Sequence, residues 1–485
     1  MFATTFLGHQ GWVVQTDQAC LLFDPLLCED FGAAHALDYR VFPPRQFDWA
    51  QFPKIDALVL SHEHDDHFDI PSLMKIDRRI PVLLSSRAST AGYRFLTELG
   101  FQVEPLVPGI ILRIGDLELL PLVADHVNSV CGDEWDTLPF MVRHTEGDGS
   151  FFTMVDIPLT QGHLHLARSF VPKPGIVGWT NNAMDWSHMA AYVMERTEGT
   201  EQAIVRMHGG HGLLTSQWGQ PAALVMCAGG MAFSGERAWL NRHVFCVDPE
   251  KVIKTMSNHF PNQRFYSGRP GQTWFMERGQ LKKMEKQSPW LSILPPSTWP
   301  LRTKSGSKDI PDYAPATGRR QITDREVDRL RTRLNQFAGD LVAGTLFKSL
   351  YSTIGIEADG LACTFAFVLR SGDDRKALVF EYNPPSCSFE QAQGTAAQQP
   401  ERAYVAGIEC WATDLLAVLD GDLGPIAIVY GRARLWNNAD DRFNFDIFNE
   451  LYRVSHPLRR PNEYLRTYQR LRAAAPPSEI CVLPR

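Results

Sequence analysis

The fold of this chain is decided by the stretch Leu58-Val59-Leu60-Ser61-His62-Glu63-His64-Asp65-Asp66-His67-Phe68-Asp69. Its apolar start predicts a buried strand. The spacing that follows places His62 and His64 on the same side of a still extended segment, while Asp66 and His67 fall in the turn behind it. Two imidazoles can then share one cation, and the neighbouring aspartate and histidine can bind a second.

The ligand types in this stretch indicate which ions it suits. Neutral imidazole and carboxylate bind borderline divalent ions such as Zn²⁺, Fe²⁺ or Mn²⁺, and the absence of cysteine from the motif argues against a thiolate-rich structural site. The alternative is a polar loop with unrelated surface histidines. Four ligand side chains within six residues, directly after a hydrophobic strand, argue against that alternative.

The pattern His62-x-His64-x-Asp66-His67 resembles the signature of the metallo-β-lactamase superfamily. The resemblance covers residues 1–285 and implies an α+β fold, an αββα sandwich of two β-sheets flanked by helices, with one or two metals at its edge. It also implies that later strands deliver further ligands. Gly8-His9 and Asp24-Pro25, on two predicted opening strands, are similar to the lactonase-like and N-acyl phosphatidylethanolamine phospholipase D-like branch.

These two opening positions have different expected roles. His9 is expected to pack in the core, with a place near the site as the alternative. Asp24 is a candidate to hydrogen-bond a ligand histidine, because a carboxylate partner fixes the tautomer of an imidazole and raises its basicity.

Two later strands end in residues that could complete the site. The predicted strand 117–122 runs out at Asp125-His126, and we assign the third ligand of the first metal to His126, with Asp125 as the alternative. The predicted strand 150–155 ends at Asp156. The resemblance implies that a carboxylate in this position bridges the two metals.

The last ligand has two competing sources. A predicted strand over residues 203–208 ends in the glycine loop His208-Gly-Gly-His211, which has the right chemistry. The run from 222 to 274 resembles the closing strand–helix–strand of the family, but it carries Arg269 where a histidine is expected. We favour recruitment from the glycine loop, because glycines let the backbone approach a compact site closely; the choice between its two histidines stays open.

Composition limits the classes of function. At 485 residues, two domains are expected. With 44% hydrophobic residues, 21% charged residues and a net charge of −7, the chain is typical of a soluble globular protein and not of a nucleic-acid binder. It has neither an apolar run of about 18 residues nor a basic N-terminal region before an apolar one, so no membrane span or secretory signal is expected and a cytoplasmic location is the default. Nine scattered cysteines without a C-x-x-C pair predict reduced thiols.

A second, smaller α+β domain is predicted at residues 322–485, after a linker over 286–321 that is rich in Pro, Ser, Thr, Lys and Gly. Thr323-Asp-Arg-Glu326 predicts a capping box at its first helix. Further predictions are strands at 364–369, 377–382 and 426–430 and a helix at 410–419. The run 413–421 resembles part of a sterol-carrier-like domain. The second domain is therefore expected to provide a lid, an apolar-substrate pocket or a homodimer contact.

The site predicts a metal-dependent hydrolase for a small-molecule substrate. In such a site a hydroxide between two divalent metals, Zn²⁺ or Fe²⁺ with Mn²⁺ as a third option, attacks an ester, thioester, lactone or phosphodiester. Asp66 is the catalytic candidate, as a metal ligand and as a proton acceptor. The alternative is a dinuclear iron oxygenase of a biosynthetic pathway, and a third reading is a non-catalytic binding protein. Asn181 and Asn182 are candidate substrate contacts, although loop structure is their favoured role.

Overall fold

A computed structural model of the chain describes residues 1–32, 39–122, 137–180, 199–242, 248–302, 311–343, 362–372, 376–383, 385–437 and 442–474. Four residues singled out from the sequence lie outside the described residues, namely Asp125, His126, Asn181 and Asn182. Within the described part, no helix combines the length and the apolar character that a membrane crossing requires.

The strands are numbered in chain order. They are β1 (Phe2–Gly8), β2 (Gly11–Gln15), β3 (Cys20–Phe23), β4 (Asp30–Phe31), β5 (Tyr39–Val41), β6 (Arg45–Phe47), β7 (Ala57–Leu60), β8 (Val82–Ser85), β9 (Val103–Leu106), β10 (Leu112–Ile114), β11 (Leu117–Pro121), β12 (Phe140–His144), β13 (Ser150–Thr153), β14 (Ile176–Thr180), β15 (Ala223–Cys227), β16 (Met231–Phe233), β17 (Phe265–Tyr266), β18 (Thr273–Glu277), β19 (Gln280–Glu285), β20 (Leu291–Ile293), β21 (Ala362–Ser371), β22 (Lys376–Asn383), β23 (Ser388–Gln391), β24 (Tyr404–Trp411) and β25 (Arg434–Asn437).

The helices are numbered in the same way. They are α1 (Ile70–Met74), α2 (Thr90–Glu98), α3 (Gln161–Phe170), α4 (Gly199–Gln217), α5 (Pro249–His259), α6 (Asp324–Ala343), α7 (Gly394–Gln398), α8 (Pro400–Ala403), α9 (Ala412–Leu419), α10 (Ile426–Arg432) and α11 (Arg442–Ala474), with 3₁₀ turns at Gly235–Arg242 and Pro296–Thr298.

Two large sheets form the centre of the first part of the chain. The eight-stranded sheet has the order β19-β18-β1-β2-β3-β7-β8-β9, and the seven-stranded sheet has the order β10-β11-β12-β13-β14-β15-β17. Side chains alternate between the two faces of each strand. In β7, Val59 therefore packs in the core shared by both sheets, while Leu58 and Leu60 pack on the outer face.

Helices cover both outer faces of this sandwich. Side chains of α1, α2 and the last turns of α11 pack in the core outside the eight-stranded sheet. Side chains of α3, α4 and α5 pack in the core outside the seven-stranded sheet. Between the sheets, the rings of Trp12 and Phe151 lie 4.9 Å apart. The predicted αββα sandwich is confirmed.

The chain separates into two compact units. Described residues up to Arg302, and those from Tyr464 onward, belong to the first unit, whereas those from Pro311 to Glu463 belong to the second. The predicted domain boundaries remain predictions. Part of the stretch predicted as a linker is a strand of the first unit, since β20 pairs antiparallel with β6.

The second unit contains a five-stranded sheet of order β23-β22-β21-β24-β25. The predicted strands at 364–369 and 377–382 lie within β21 and β22. The capping box is confirmed as well, because the Thr323 backbone N–H donates to Glu326 and the Glu326 backbone N–H donates to the Thr323 hydroxyl. These interactions are local, which is why the sequence predicted them.

Two predictions in the second unit are wrong in part. The run 426–430 lies in helix α10 and not in a strand, because Pro425 already has helical backbone angles and starts the turn; the backbone leaves the helical region at Tyr430. The helix predicted from Cys410 begins at Ala412, since Cys410 is still paired in the sheet as part of β24.

The strand predicted at 203–208 is also wrong, because these residues belong to helix α4. Its buried residues Met207, His211 and Leu214 recur at helical spacing. Gly210 lies against the ring of Trp179 on β14, where a β-carbon would clash. Gly210 thus lets the helix lie close to the sheet, and the stretch does not form a loop.

Candidate metal centre

His62 and His64 are placed by the end of strand β7. The backbone N–H of Ser61 donates to Asp24 Oδ1 over 2.8 Å, which holds the strand end in place. The Ser61 hydroxyl lies 2.8 Å from His62 Nδ1, and His62 Nε2 lies 2.9 Å from His64 Nδ1. The two rings therefore direct nitrogen atoms at a common point, as the spacing predicted.

A tight turn brings His67 and Asp66 next to the first two histidines. The backbone N–H groups of His67 and Phe68 both donate to the His64 carbonyl. Asp24 Oδ2 lies 2.8 Å from His67 Nδ1, which leaves Nε2 to face Asp66 Oδ2 at 3.5 Å. The predicted hydrogen bond between Asp24 and a candidate ligand histidine is thus present, and it orients the ring.

Asp156 reaches the same point from the other sheet. It follows β13, and the preceding Val155 has a left-handed backbone, with φ of 53°. Asp156 Oδ2 lies 2.9 Å from His67 Nε2 and 3.8 Å from His62 Nε2. Gln10 donates to Asp156 Oδ1 over 3.1 Å, so the carboxylate is held from both sides.

His9 also lies in this cluster, although the sequence favoured a packing role. Its Nε2 is 2.7 Å from Asp66 Oδ2. It lies in the turn between β1 and β2, next to the end of β7, because the start of β2 pairs with the end of β3 and β3 runs parallel to β7. The available signal was the glycine-flanked Gly8-His9-Gln10-Gly11, which indicates a tight turn after a buried strand.

Glu63 is a further residue that sequence reasoning missed. Its buried carboxylate accepts from the Ser89 backbone N–H over 2.6 Å and from the Ser89 hydroxyl over 2.7 Å. The Tyr464 hydroxyl, from the last turns of α11, donates to Glu63 Oε1 over 2.8 Å. Glu63 stands between His62 and His64, so these bonds hold the loop that carries both rings.

Negative charge is concentrated around His67. Burial by itself would lower its pKa, but the carboxylates of Asp66, Asp156 and Asp24 outweigh it and hold that pKa well above its usual range. Burial by itself would raise the pKa of Asp66, yet His67 and the hydrogen bonds from His67 and His9 hold it well below its usual range. The pKa of Asp156 is lowered against its burial as well, mainly by His67. Such a site favours a bound cation.

The donor atoms of the described residues fit divalent ions. Ligand atoms of His62, His64 and Asp156 lie within 4.8 Å of one another, and the same holds for His9, Asp66 and His67. Two donors on a tetrahedral Zn²⁺ lie about 3.3 Å apart at ordinary bond lengths. The two groups therefore need only small adjustments to hold one ion each, and they meet where His67 faces Asp156.

His208 and His211 occupy a different place. Both lie on α4, where their rings pack against Phe260, with ring centres 5.2 Å and 4.3 Å away. Among the described residues, the two groups of ligand atoms include neither histidine. Arg269 follows β17 and forms an ion pair with Glu250 over 3.2 Å. The structure thus does not bring the predicted last ligands to the cluster.

Residues 20–215 match the family model described as "Beta-lactamase superfamily domain". The matched stretch covers less than half of the chain. It contains the His62–His67 loop and Asp156, whereas His9 precedes it.

Three similar solved structures have low sequence identity to this chain. An isothiocyanate hydrolase from Delia radicum gut bacteria is 15% identical, with 57% of this chain and 99% of that chain covered and a TM-score of 0.40. A diiron beta-hydroxylase from Streptomyces venezuelae is 14% identical, with 57% and 54% covered and a TM-score of 0.38. Igni18, a metallo hydrolase from Ignicoccus hospitalis, is 17% identical, with 56% and 97% covered and a TM-score of 0.36.

Curated relatives match only short stretches. A putative Rieske 2Fe-2S iron-sulfur protein from Mycolicibacterium smegmatis is 31% identical over 99 residues, which are 20% of this chain and 18% of that protein. A protein of the same description from Mycobacterium tuberculosis is 34% identical over 70 residues, 14% of this chain and 13% of its own length. The chain therefore spans less than a fifth of these relatives.

Proposed function

We propose that the first unit is a hydrolase that depends on two divalent metal ions and acts on a small ester, thioester, lactone or phosphodiester. The observation that carries the proposal is the meeting of two groups of ligand atoms at the ends of β7 and β13. The matched superfamily domain supports it. The similarity of Gly8-His9 and Asp24-Pro25 to the lactonase-like and phospholipase D-like branch is part of the same proposal.

The candidate ligands form two sets, one for each ion. His62, His64 and Asp156 hold one ion, and Asp66 and His67 hold the other. When bound, such ions lower the pKa of water and polarise a carbonyl or phosphoryl oxygen.

Exposure indicates how the substrate reaches the site. The side chains of Asp66 and Asp156 are 27% and 29% exposed, whereas those of His62 and His67 are almost fully buried. The two carboxylates are therefore the solvent-accessible part of the cluster, and we assign to Asp66 the role of accepting a proton from water. The buried Asp24 keeps the imidazole of His67 in one tautomer.

A dinuclear iron oxygenase is the second candidate, because the observed donors, imidazole and carboxylate without thiolate, suit iron as well as zinc. The diiron beta-hydroxylase among the similar structures has this type of activity by its name. The identity of the bound metal distinguishes the two candidates.

The test is purification without chelators, followed by metal analysis and activity assays. Zinc or manganese with hydrolysis of generic esters, thioesters, lactones or phosphodiesters would support the hydrolase. Two irons with O₂ consumption would support the oxygenase, and a protein without bound metal would refute both.

Variants test the site itself. His62→Ala and Asp156→Ala are each expected to abolish metal binding and turnover, because each removes a ligand atom from the cluster. His165→Ala, an exposed histidine on α3, is the matched control and is expected to change neither. Turnover that survives in either site variant contradicts the assignment.

A further inference from the structure

We infer that His9 is the histidine ligand that completes the second ion position, together with Asp66 and His67. This inference rests on the proposed two-ion site. It assigns a ligand that stands outside the His62–His67 loop and outside the matched domain.

The distances carry the first step. His9 Nε2 lies 2.7 Å from Asp66 Oδ2, and that same oxygen lies 3.5 Å from His67 Nε2. All three ligand atoms fall within 4.8 Å of one another, the same limit that holds for the other group. With His9 included, each ion position has two imidazoles and one carboxylate.

The backbone around His9 is built to aim the ring. Its φ is 53°, a left-handed conformation that costs a residue with a β-carbon about 1 kcal/mol or more. The Ala228 backbone N–H donates to the His9 carbonyl over 2.7 Å, and Gly230 lies so close to the His9 backbone that a β-carbon would not fit. The next residue, Gln10, donates to Asp156 of the other group. One turn thus serves both ion positions.

A packing role alone does not account for this histidine. The residue is only 4% exposed, and its Nδ1 has no hydrogen-bond partner among the described residues. A phenylalanine would fill the same space beside Phe31 without burying an unpaired nitrogen. An imidazole is needed only if its Nε2 has a polar or metal-binding role, and that atom lies 2.7 Å from Asp66 Oδ2.

The run from 222 to 274, where the family resemblance implies a histidine, carries Arg269 instead. Arg269 follows β17, and its guanidinium forms an ion pair with Glu250 over 3.2 Å. A cationic side chain offers no lone pair to a metal. Of the described histidines, His9 is the one outside the loop that joins a group of ligand atoms.

The test compares His9→Asn with His9→Asp, because both residues tolerate a left-handed backbone and only aspartate retains a strong oxygen ligand. Metal content is measured after equilibration with Zn²⁺ and gel filtration. The wild type is expected to retain about two equivalents and His9→Asn about one, with His9→Asp recovering most of the second. Circular dichroism monitors folding in each variant.

The matched control is His144→Asn. His144 is another buried histidine paired with a carboxylate, since its Nε2 lies 3.0 Å from Asp116 Oδ2, but it is absent from both groups of ligand atoms. It is expected to leave about two equivalents.

The outcomes separate the two proposals. Two equivalents in the wild type and in His9→Asn would overturn the role of His9 and leave the proposed hydrolase intact. No zinc, iron or manganese in the wild type would refute the proposed function itself. Loss of the second equivalent in His9→Asn with its recovery in His9→Asp would support both.

Discussion

The bond between Tyr464 and Glu63 offers a quantitative test of how the metal loop is held. Tyr464→Phe removes the hydroxyl that donates to Glu63 Oε1 over 2.8 Å but keeps the ring, which lies 5.0 Å from Phe68 and 5.2 Å from Phe95. A hydrogen bond to a buried carboxylate contributes about 1.5–3 kcal/mol. Because Ser89 still donates twice to Glu63, we expect the variant to lose local stability in the lower half of that range, about 2 kcal/mol.

Hydrogen exchange measured by mass spectrometry gives a local readout of this loss. About 2 kcal/mol corresponds to roughly 30-fold faster exchange of the amides in the loop after β7 and at the start of α2. Tyr468→Phe is the matched control, because its hydroxyl, one turn further along α11, contacts Arg472 at 3.4 Å and not Glu63. Equal exchange rates in the two variants would refute the reasoning.

Three further predictions concern stability. Asp69→Asn should stabilise the protein strongly at pH 8 and far less at about pH 4 in urea unfolding. Burial raises the pKa of Asp69 to about 7, so the folded state keeps a proton that the unfolded state loses above about pH 4. Stability therefore falls as pH rises between these values. Gly210→Ala should lower the melting temperature, because its β-carbon would clash with the ring of Trp179, whereas Gly209→Ala, which meets nothing nearby, should not. Thr323→Ala should cost about 1 kcal/mol in urea unfolding through loss of the α6 cap, and no cost would contradict the capping box.

Much of this protein could be predicted from short stretches of sequence. The apolar strand and the loop His62–His67 are contiguous, so their order alone indicates a strand end that carries ligands. The capping box of α6 is equally local, because its two partners are three residues apart. Asp156 was singled out because the apolar stretch 150–155 precedes it, although strand β13 ends at Thr153.

Helix α4 and helix α10 were assigned wrongly for physical reasons. In α4 the three glycines suggested a loop, but its buried face packs on the seven-stranded sheet and overrides the weak helix propensity. In α10 the apolar run 426–430 has no periodicity that separates a short helix from a short strand.

The sequence by itself determined the local motif that bears most of the candidate ligands, because that motif depends only on neighbouring residues, and the sandwich fold was predicted from the family resemblance that the motif carries. Only the tertiary structure decided that His9 meets Asp66, 57 positions away, and that Tyr464 reaches Glu63 across 401 positions. Contacts of this kind depend on which strand ends lie side by side in a sheet and on which helix covers a face of that sheet. No periodicity within one segment contains that information.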